Sequence, residues 1–232
     1  MIIDGFPAEM FGTNCWVIAP AAGEECFVVD PGIGSPDVRQ ALEVVLTRHR
    51  LKPVAVIATH GHLDHTFSIG PVCGAKGIPA YIHSADRELL AHPERAFSDG
   101  GPLGELFAGL TFSEPDSVHE LGDGSLLTLA GLDLVIDHVP GHTQGSILIR
   151  IAGGEPTVLT GDVLFAGAIG RTDLPTGSAS AMATSLRTKI LPLSDDYAVL
   201  PGHGRRTTIG AERRTNPYLA SVRSDGDGSF IQ

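Results

Sequence analysis

Short apolar runs rich in β-forming residues punctuate the chain, and the turns and periodicities between them predict its elements. Cys15-Trp16-Val17-Ile18-Ala19 and Cys26-Phe27-Val28-Val29 flank a turn at 20–23, which predicts a β-hairpin. Asp30-Pro31-Gly32 ends the second run, and Ser35-Pro36 predicts a helix N-cap followed by proline at the first helical position. Val38, Ala41, Leu42, Val45, Leu46 and His49 then follow helical spacing, so an amphipathic helix is expected over 36–49. Pro53 precedes another apolar run at 54–58. Beyond it, 74–77 reads as a helix terminus, 79–83 as a strand and 84–91 as a helix capped by Ser84.

Residues 92–117 interrupt this alternation. Breakers at His92-Pro93, Gly100-Gly101-Pro102 and Glu114-Pro115 are scattered among Phe97, Leu103, Leu106, Phe107 and Phe112, which makes the segment a candidate substrate cover. A packed surface loop is the plainer alternative. Strands follow at 126–129, 132–139, 146–151 and 157–160, then a helix at 179–190 stopped by Pro192 and a strand at 198–200. A helical segment over 209–222, interrupted by Pro217, leads to a polar, glycine-rich tail at 224–232 that is expected to fray. Strands with helices in both halves predict an α/β (α+β) chain: two sheets face to face, each covered outside by helices, a four-layer αββα sandwich. Neither a fixed-period repeat nor a composition shift marks a linker, so 1–232 is expected to form one domain.

Composition narrows the function classes. Hydrophobic residues at 42% and charged residues at 19% are ordinary for a folded globular chain. The formal net charge of −11 argues against nucleic acid as a partner, because such a surface needs basic groups to displace counterions. The first ten residues carry Asp4 and Glu9 and no basic head, and no apolar run approaches the ~20 residues a bilayer span needs. No membrane partner and a cytoplasmic location are therefore expected. Cys15, Cys26 and Cys73, without a CxxC spacing, read as reduced, partly buried thiols.

Candidate chemistry concentrates at T-H-G-H-L-D-H, residues 59–65, directly after the run at 54–58. His60 and His62 lie two apart and point the same way from extended backbone. Asp64 and His65 follow where strand should give way to helix, so two ligands can face one ion and two a second. Imidazole with carboxylate suits zinc, iron or manganese. A polar turn with chance histidines is the bland alternative. Three further strand ends each offer one ligand type beside a glycine: Gly141-His142, Gly161-Asp162 and Gly202-His203. Together these make five histidines and two aspartates, enough for two metals with Asp162 as a bridging carboxylate. Asp30, in its D-P-G turn, is a candidate partner for a ligand's outer ring nitrogen or simply a turn former. Ser146 near His142 lacks a nucleophile-elbow pattern and reads as a structural hydroxyl.

This order of motifs, HxHxDH, a later His, an Asp and a last His, resembles the metallo-β-lactamase-fold superfamily. G-H-T-Q-G-S at 141–146, T-G-D-V-L-F at 160–165, G-R-T-D-L-P at 170–175 and P-G-H-G at 201–204 look most like its glyoxalase II branch, which hydrolyses thioesters such as S-lactoylglutathione. Larger members continue past the last motif into a helical region that grips glutathione. Only a short stretch follows His203, so the resemblance is to short bacterial glyoxalase II-like (hydroxyacylglutathione hydrolase-like) enzymes.

The resemblance implies two divalent metal ions, zinc foremost with iron or manganese as alternatives. His60, His62 and His142 would hold one, Asp64, His65 and His203 the other, and Asp162 both. It further implies a metal-bridging hydroxide that attacks a thioester carbonyl, oriented by Asp64, with a small-molecule thioester as partner. Arg171, Phe165, Arg213 and Tyr218 are candidate substrate contacts, Arg171 alternatively pairing with Asp173. Persulfide dioxygenases, which use one iron held by two His and one Asp (here His60, His142 and Asp162), also resemble the chain. The P-G-H-G form around His203 is the hydrolase-like version.

Overall fold

A computed structural model describes residues 1–97 and 110–224. Its strands form two six-stranded sheets. The first runs in chain order: β1 (Ile2–Pro7), β2 (Asn14–Ala19), β3 (Glu25–Val29), β4 (Lys52–Ile57), β5 (Ala80–His83) and β6 (Val118–Leu121). Antiparallel pairing joins β1 to β3, and parallel pairing joins β3 to β6. The second comprises β7 (Leu126–Leu129), β8 (Leu132–His138), β9 (Ile147–Ala152), β10 (Thr157–Gly161), β11 (Ala198–Pro201) and β12 (Thr207–Thr208), with β10 and β11 its parallel pair.

The apolar runs are unbroken because both faces of each sheet are covered. Trp16, Ile18, Phe27, Val29, Ala55 and Ile57 turn inward, against Leu134, Ile136, Ile147, Ile149, Leu159 and Leu200 of the facing sheet. Their neighbours Cys15, Val17, Cys26, Val28 and Val56 turn outward. There they meet Leu42, Val45 and Leu46 of α1 (Arg39–His49), and Ile69 and Val72 of α3 (Ile69–Lys76), which follows the short α2 (Leu63–Thr66). On the second sheet, Leu148, Val158 and Val199 pack on α4 (Ala179–Ser185) and its π-helical continuation Leu186–Ile190, and on α5 (Ile209–Thr215) and α6 (Pro217–Ser224). The result is the helix–sheet–sheet–helix sandwich. Each fully buried aliphatic or Phe side chain contributes about 1.5–3 kcal/mol.

The expected hairpin is β2–β3, with Trp16 opposite Val29. Helix α1 starts at Arg39 rather than at 36. Val38 N–H donates to Ser68 Oγ at 3.1 Å while Ser68 Oγ donates to the Gly32 carbonyl at 2.6 Å, so the 35–38 stretch is fastened to the α2–α3 corner instead of entering the helix. The helix expected at 84–91 is a 3-10 segment, Ser84–Leu90, and its cap is His83, whose Nδ1 accepts from Ala85 N–H at 3.2 Å. Strands β1, β6 and the two-residue β12 go beyond the elements expected. Within the expected loop, Pro93–Ala96 is a 3-10 turn and Phe112 meets Phe67 edge to face at 6.1 Å. The remainder of that candidate cover, 98–109, and the tail from 225 lie outside the described residues. Among the described residues no helix is long and apolar enough to cross a membrane.

Candidate metal centre

Strand ends of both sheets converge on one edge of the sandwich. Past the end of β4 the chain bends at Thr59 and His60 and delivers His60 and His62, after which α2 carries Asp64 and His65 into the same space. His142 arrives on the loop between β8 and β9, Asp162 directly after β10 and His203 directly after β11. The His203 loop is held across the sheets: Asn14 N–H donates to the Gly202 carbonyl at 2.7 Å, and Trp16 Nε1 to the Pro201 carbonyl at 3.1 Å. Two glycines keep the centre open. A Cβ on Gly202 would collide with Asp162 Oδ1, and one on Gly170 with the Asp162 carbonyl.

Four of the five imidazoles share one arrangement. His142 Nδ1 faces the Arg171 carbonyl at 2.8 Å, His65 Nδ1 faces Asp30 Oδ2 at 3.0 Å and His203 Nδ1 faces the Phe11 carbonyl at 3.2 Å. His60 Nδ1 faces Thr59 Oγ1 at 3.1 Å, and that hydroxyl donates to Asp30 Oδ2 at 2.7 Å. Each outer partner accepts a hydrogen bond, so each Nδ1 carries a proton and each Nε2 is turned inward, where it can offer a lone pair to a cation once it holds no proton. His62 turns its Nδ1 inward instead, 2.8 Å from His142 Nε2.

The inward atoms form three overlapping groups, each with its atoms within 4.8 Å of one another: His60, His62 and His142; His60, His65 and Asp162; Asp64, His65 and His203. His203 Nε2 lies 3.2 Å from His65 Nε2, 3.3 Å from Asp64 Oδ2 and 3.4 Å from Asp162 Oδ2. His142 Nε2 lies 3.6 Å from Asp162 Oδ2. His60 Nε2, His62 Nε2 and Asp162 Oδ1 are buried without a hydrogen-bond partner. Buried polar atoms are rarely left so, and facing lone pairs repel unless positive charge lies between them.

Electrostatics agree with that fit. Burial, with the neighbouring imidazoles, holds His60 well below its ordinary value and His62 down to about 3. Burial alone would raise the carboxyls, but the charge on His65 overrides it, taking Asp64 to about 2 and Asp162 well below its usual range. Burial likewise opposes charge on His65 and His203, yet Asp162 and Asp64 lift His65 well above its ordinary value and His203 to about 9. The carboxylates thus draw protons into a space where the inward nitrogens face each other, and divalent cations would supply the same charge without that conflict. The donor set of imidazole nitrogen and carboxylate oxygen suits zinc, iron or manganese.

Asp30 is the outer partner anticipated from its turn, and it also accepts from Thr59 N–H at 2.7 Å. Asp86 was not anticipated. Fully buried, it accepts from Gly61 N–H at 2.8 Å, Gly145 N–H at 2.7 Å and Thr143 Oγ1 at 2.6 Å, clamping the His60–His62 loop to the His142 loop. Its signal in the sequence is a charge at the position that, with Leu89 and Leu90, completes an i, i+3, i+4 apolar stripe. Thr13, whose Oγ1 donates to Asp64 Oδ2 at 3.1 Å, has no local motif to mark it. Ser146 is structural, its hydroxyl accepting from Thr143 N–H at 3.1 Å.

A cavity of about 230 Å³ opens beside His62, Asp64, His142 and Asp162. Of the four candidate substrate contacts, Arg171 lines it, with its guanidinium bound to both oxygens of Asp173 at 2.7 and 2.8 Å. Phe165 stands edge-on to His203 at 6.0 Å, outside the lining. Arg213 holds the carbonyls of Leu191 and Leu193 and pairs with Asp195, which makes it a brace for α5; neither it nor Tyr218 lines the cavity. His83 and His138 stack on each other at 4.0 Å, apart from the metal groups.

The family model of the metallo-beta-lactamase superfamily matches residues 8–203. A Mycobacterium tuberculosis protein of uncharacterized function is 45% identical over 96% of this chain and 99% of its own length. The hydroxyacylglutathione hydrolase GloC of Haemophilus influenzae is 35% identical over 95% of this chain and 99% of its own. Among solved structures, the B3 metallo-beta-lactamase BLEG-1 is 32% identical with a TM-score of 0.79, covering 94% of this chain and 99% of that one. TTHA1623 in a di-iron-bound form is 31% identical with a TM-score of 0.76, covering 93% and 100%. ETHE1 from Myxococcus xanthus is 25% identical with a TM-score of 0.72, covering 95% and 85%.

Proposed function

The chain belongs to the metallo-beta-lactamase superfamily, whose members are generally hydrolytic enzymes, and from that premise we propose that it is a binuclear metal-dependent thioester hydrolase of the glyoxalase II type. The observation that carries the reading is the pair of ligand groups, His60–His62–His142 and Asp64–His65–His203, with Asp162 between them. The similarity to GloC supports the substrate class, and the di-iron form of TTHA1623 supports a two-metal centre.

When bound, a pair of divalent ions would bring a shared water near to neutral pKa and polarise the acyl carbonyl. His60, His62, His142, Asp64, His65, His203 and Asp162 would hold the pair, zinc foremost. The chain's own contribution is positioning. Asp64, anchored by the Thr13 hydroxyl and 3.3 Å from His203, borders the cavity and would accept a hydrogen bond from the attacking water, aiming its lone pair at the carbonyl carbon. Asp30 and Asp86 fix the ligand loops before substrate arrives. Water adds to the acyl carbon, the C–S bond breaks, and the products are a carboxylate, a thiolate and protons; a thiolate leaves without a general acid. The three free, buried cysteines fit a reducing compartment, and with it a cytoplasmic enzyme.

A second reading, a mononuclear iron persulfide dioxygenase, is favoured by the likeness to ETHE1. It would use His60, His142 and Asp162 and leave His62, Asp64, His65 and His203 without a ligand role. Purified protein with its metal content measured should hydrolyse S-lactoylglutathione with two ions per chain. Oxygen uptake on glutathione persulfide with one iron per chain and no thioester cleavage would refute the proposal, as would turnover restricted to a chromogenic cephalosporin.

A further inference from the structure

The cavity beside the metal groups has a chemical character of its own. Its walls away from the ligands are Phe11, Ile33, Leu63, Phe97 and Leu174, with Arg171 at one side. Ile33 and Leu63 are buried, whereas Phe11 is 51% exposed. Arg171 has its fork filled by Asp173, so the one cation of the described lining is already matched by an adjacent carboxylate.

Phe11 is held there at a conformational cost. Its φ of +63° lies in the left-handed region that a bulky residue seldom occupies, and strain of this sort clusters at functional sites. The same backbone turn presents the Phe11 carbonyl to His203 Nδ1 and its phenyl to the cavity. One strained residue therefore joins a metal-ligand contact to an apolar wall.

Size narrows the occupant. The cavity of about 230 Å³ exceeds the roughly 150 Å³ that accommodates benzene and falls below the roughly 300 Å³ at which pockets for drug-sized ligands begin. We propose that it is an acyl subsite for an unbranched or aromatic hydrocarbon acyl group of about four to eight carbons, and that Phe11 and Leu174 determine that selectivity. This rests on the thioesterase reading for its chemistry and on the cavity walls for its selectivity. A lactoyl group, with one methyl and one hydroxyl, leaves most of this surface without contact.

The test uses the zinc-loaded protein and one carrier, N-acetylcysteamine, so that only the acyl group varies. Across acetyl, butanoyl and hexanoyl thioesters, kcat/KM should rise roughly threefold to fourfold per methylene, with lactoyl below butanoyl. Phe11→Asn retains a residue that tolerates left-handed backbone but removes the ring, and Leu174→Asn changes a half-buried loop side chain. Each should lower the hexanoyl-to-acetyl ratio about fivefold or more. A flat series, or lactoyl preferred over butanoyl, would overturn the proposal. In parallel, calorimetric titration with the unreactive S-ethyl, S-butyl and S-hexyl thioethers of the same carrier reads the cavity without chemistry. Affinity that tightens with chain length supports the subsite even if no thioester is cleaved, an outcome that sinks the hydrolase reading alone. Affinity independent of chain length overturns the subsite.

Discussion

The His60–His62–His142 group and the Asp64–His65–His203 group share one cluster but are built from different materials. The first is three buried imidazoles whose loops are clamped from behind by Asp86. The second mixes imidazole with carboxylate, is partly open at Asp64 and His203, and leans on the loop between β1 and β2 through Thr13 and the Phe11 carbonyl. A cation in the first group would meet three lone pairs and no carboxylate but the bridging Asp162; in the second it would meet the further negative charge of Asp64 but more water. Asp162 reaches both, with its two oxygens directed at His65 on one side and at His142 and His203 on the other. The two halves can therefore be disabled separately, and only loss of the bridging position should disable both.

The largest effect should therefore come from Asp162→Ala. Both metal affinities should fall and thioester hydrolysis should drop by more than roughly 100-fold, beyond the range typical of outer-sphere partners; retention of two tightly bound ions would contradict a bridging role. His203→Ala should come next, removing one equivalent of metal and most hydrolysis while the imidazole group stays loaded. His142→Ala should show the mirror image, also keeping one equivalent but in the Asp64–His65–His203 group; the same ligand spectrum from the one cobalt ion left in each variant would erase the distinction between the halves.

Outer partners should separate the two halves with smaller effects. Asp30→Asn places an amide N–H against His65 Nδ1–H and should weaken metal affinity roughly 10- to 100-fold. Asp86→Ala strands the donors of Gly61, Gly145 and Thr143 and should cost about 3 kcal/mol in denaturant unfolding, with a metal loss confined to the imidazole group. The smallest effect belongs to Thr13→Val, which removes one hydrogen bond to Asp64: about 1 kcal/mol and a few-fold in kcat/KM. A loss as large as that of His203→Ala would mean that the β1–β2 loop does more than anchor Asp64.

How much of this is legible in the sequence depends on how local the cause is. The apolar runs and helical spacings disclose both sheets and most helices, because burial on both faces of a strand leaves an unbroken run. The ligand cluster is legible because ligand types sit beside glycines at strand ends. β1 escapes notice because Gly5 and Pro7 dilute its pattern, and its pairing with β2, Ile2 opposite Ala19, is what makes it a strand. The start of α1 and the cap at His83 depend on contacts that no local propensity encodes, above all Ser68 to Val38 across 30 positions. Asp86 and Thr13 act through partners 25 to 59 positions away, and their residue types alone do not predict those partners. Arg213, by contrast, looks like an anion contact in sequence because it is charged and close to a family-like ending, whereas its guanidinium braces backbone carbonyls.

The most direct test of two joined half-sites is stepwise zinc titration of metal-free protein against a chromophoric chelator, with S-lactoylglutathione hydrolysis read at every step. Two equivalents should bind, His203→Ala should bind one, and hydrolysis should appear chiefly with the second. Saturation of the unaltered protein at a single equivalent, with full activity there, would contradict the account.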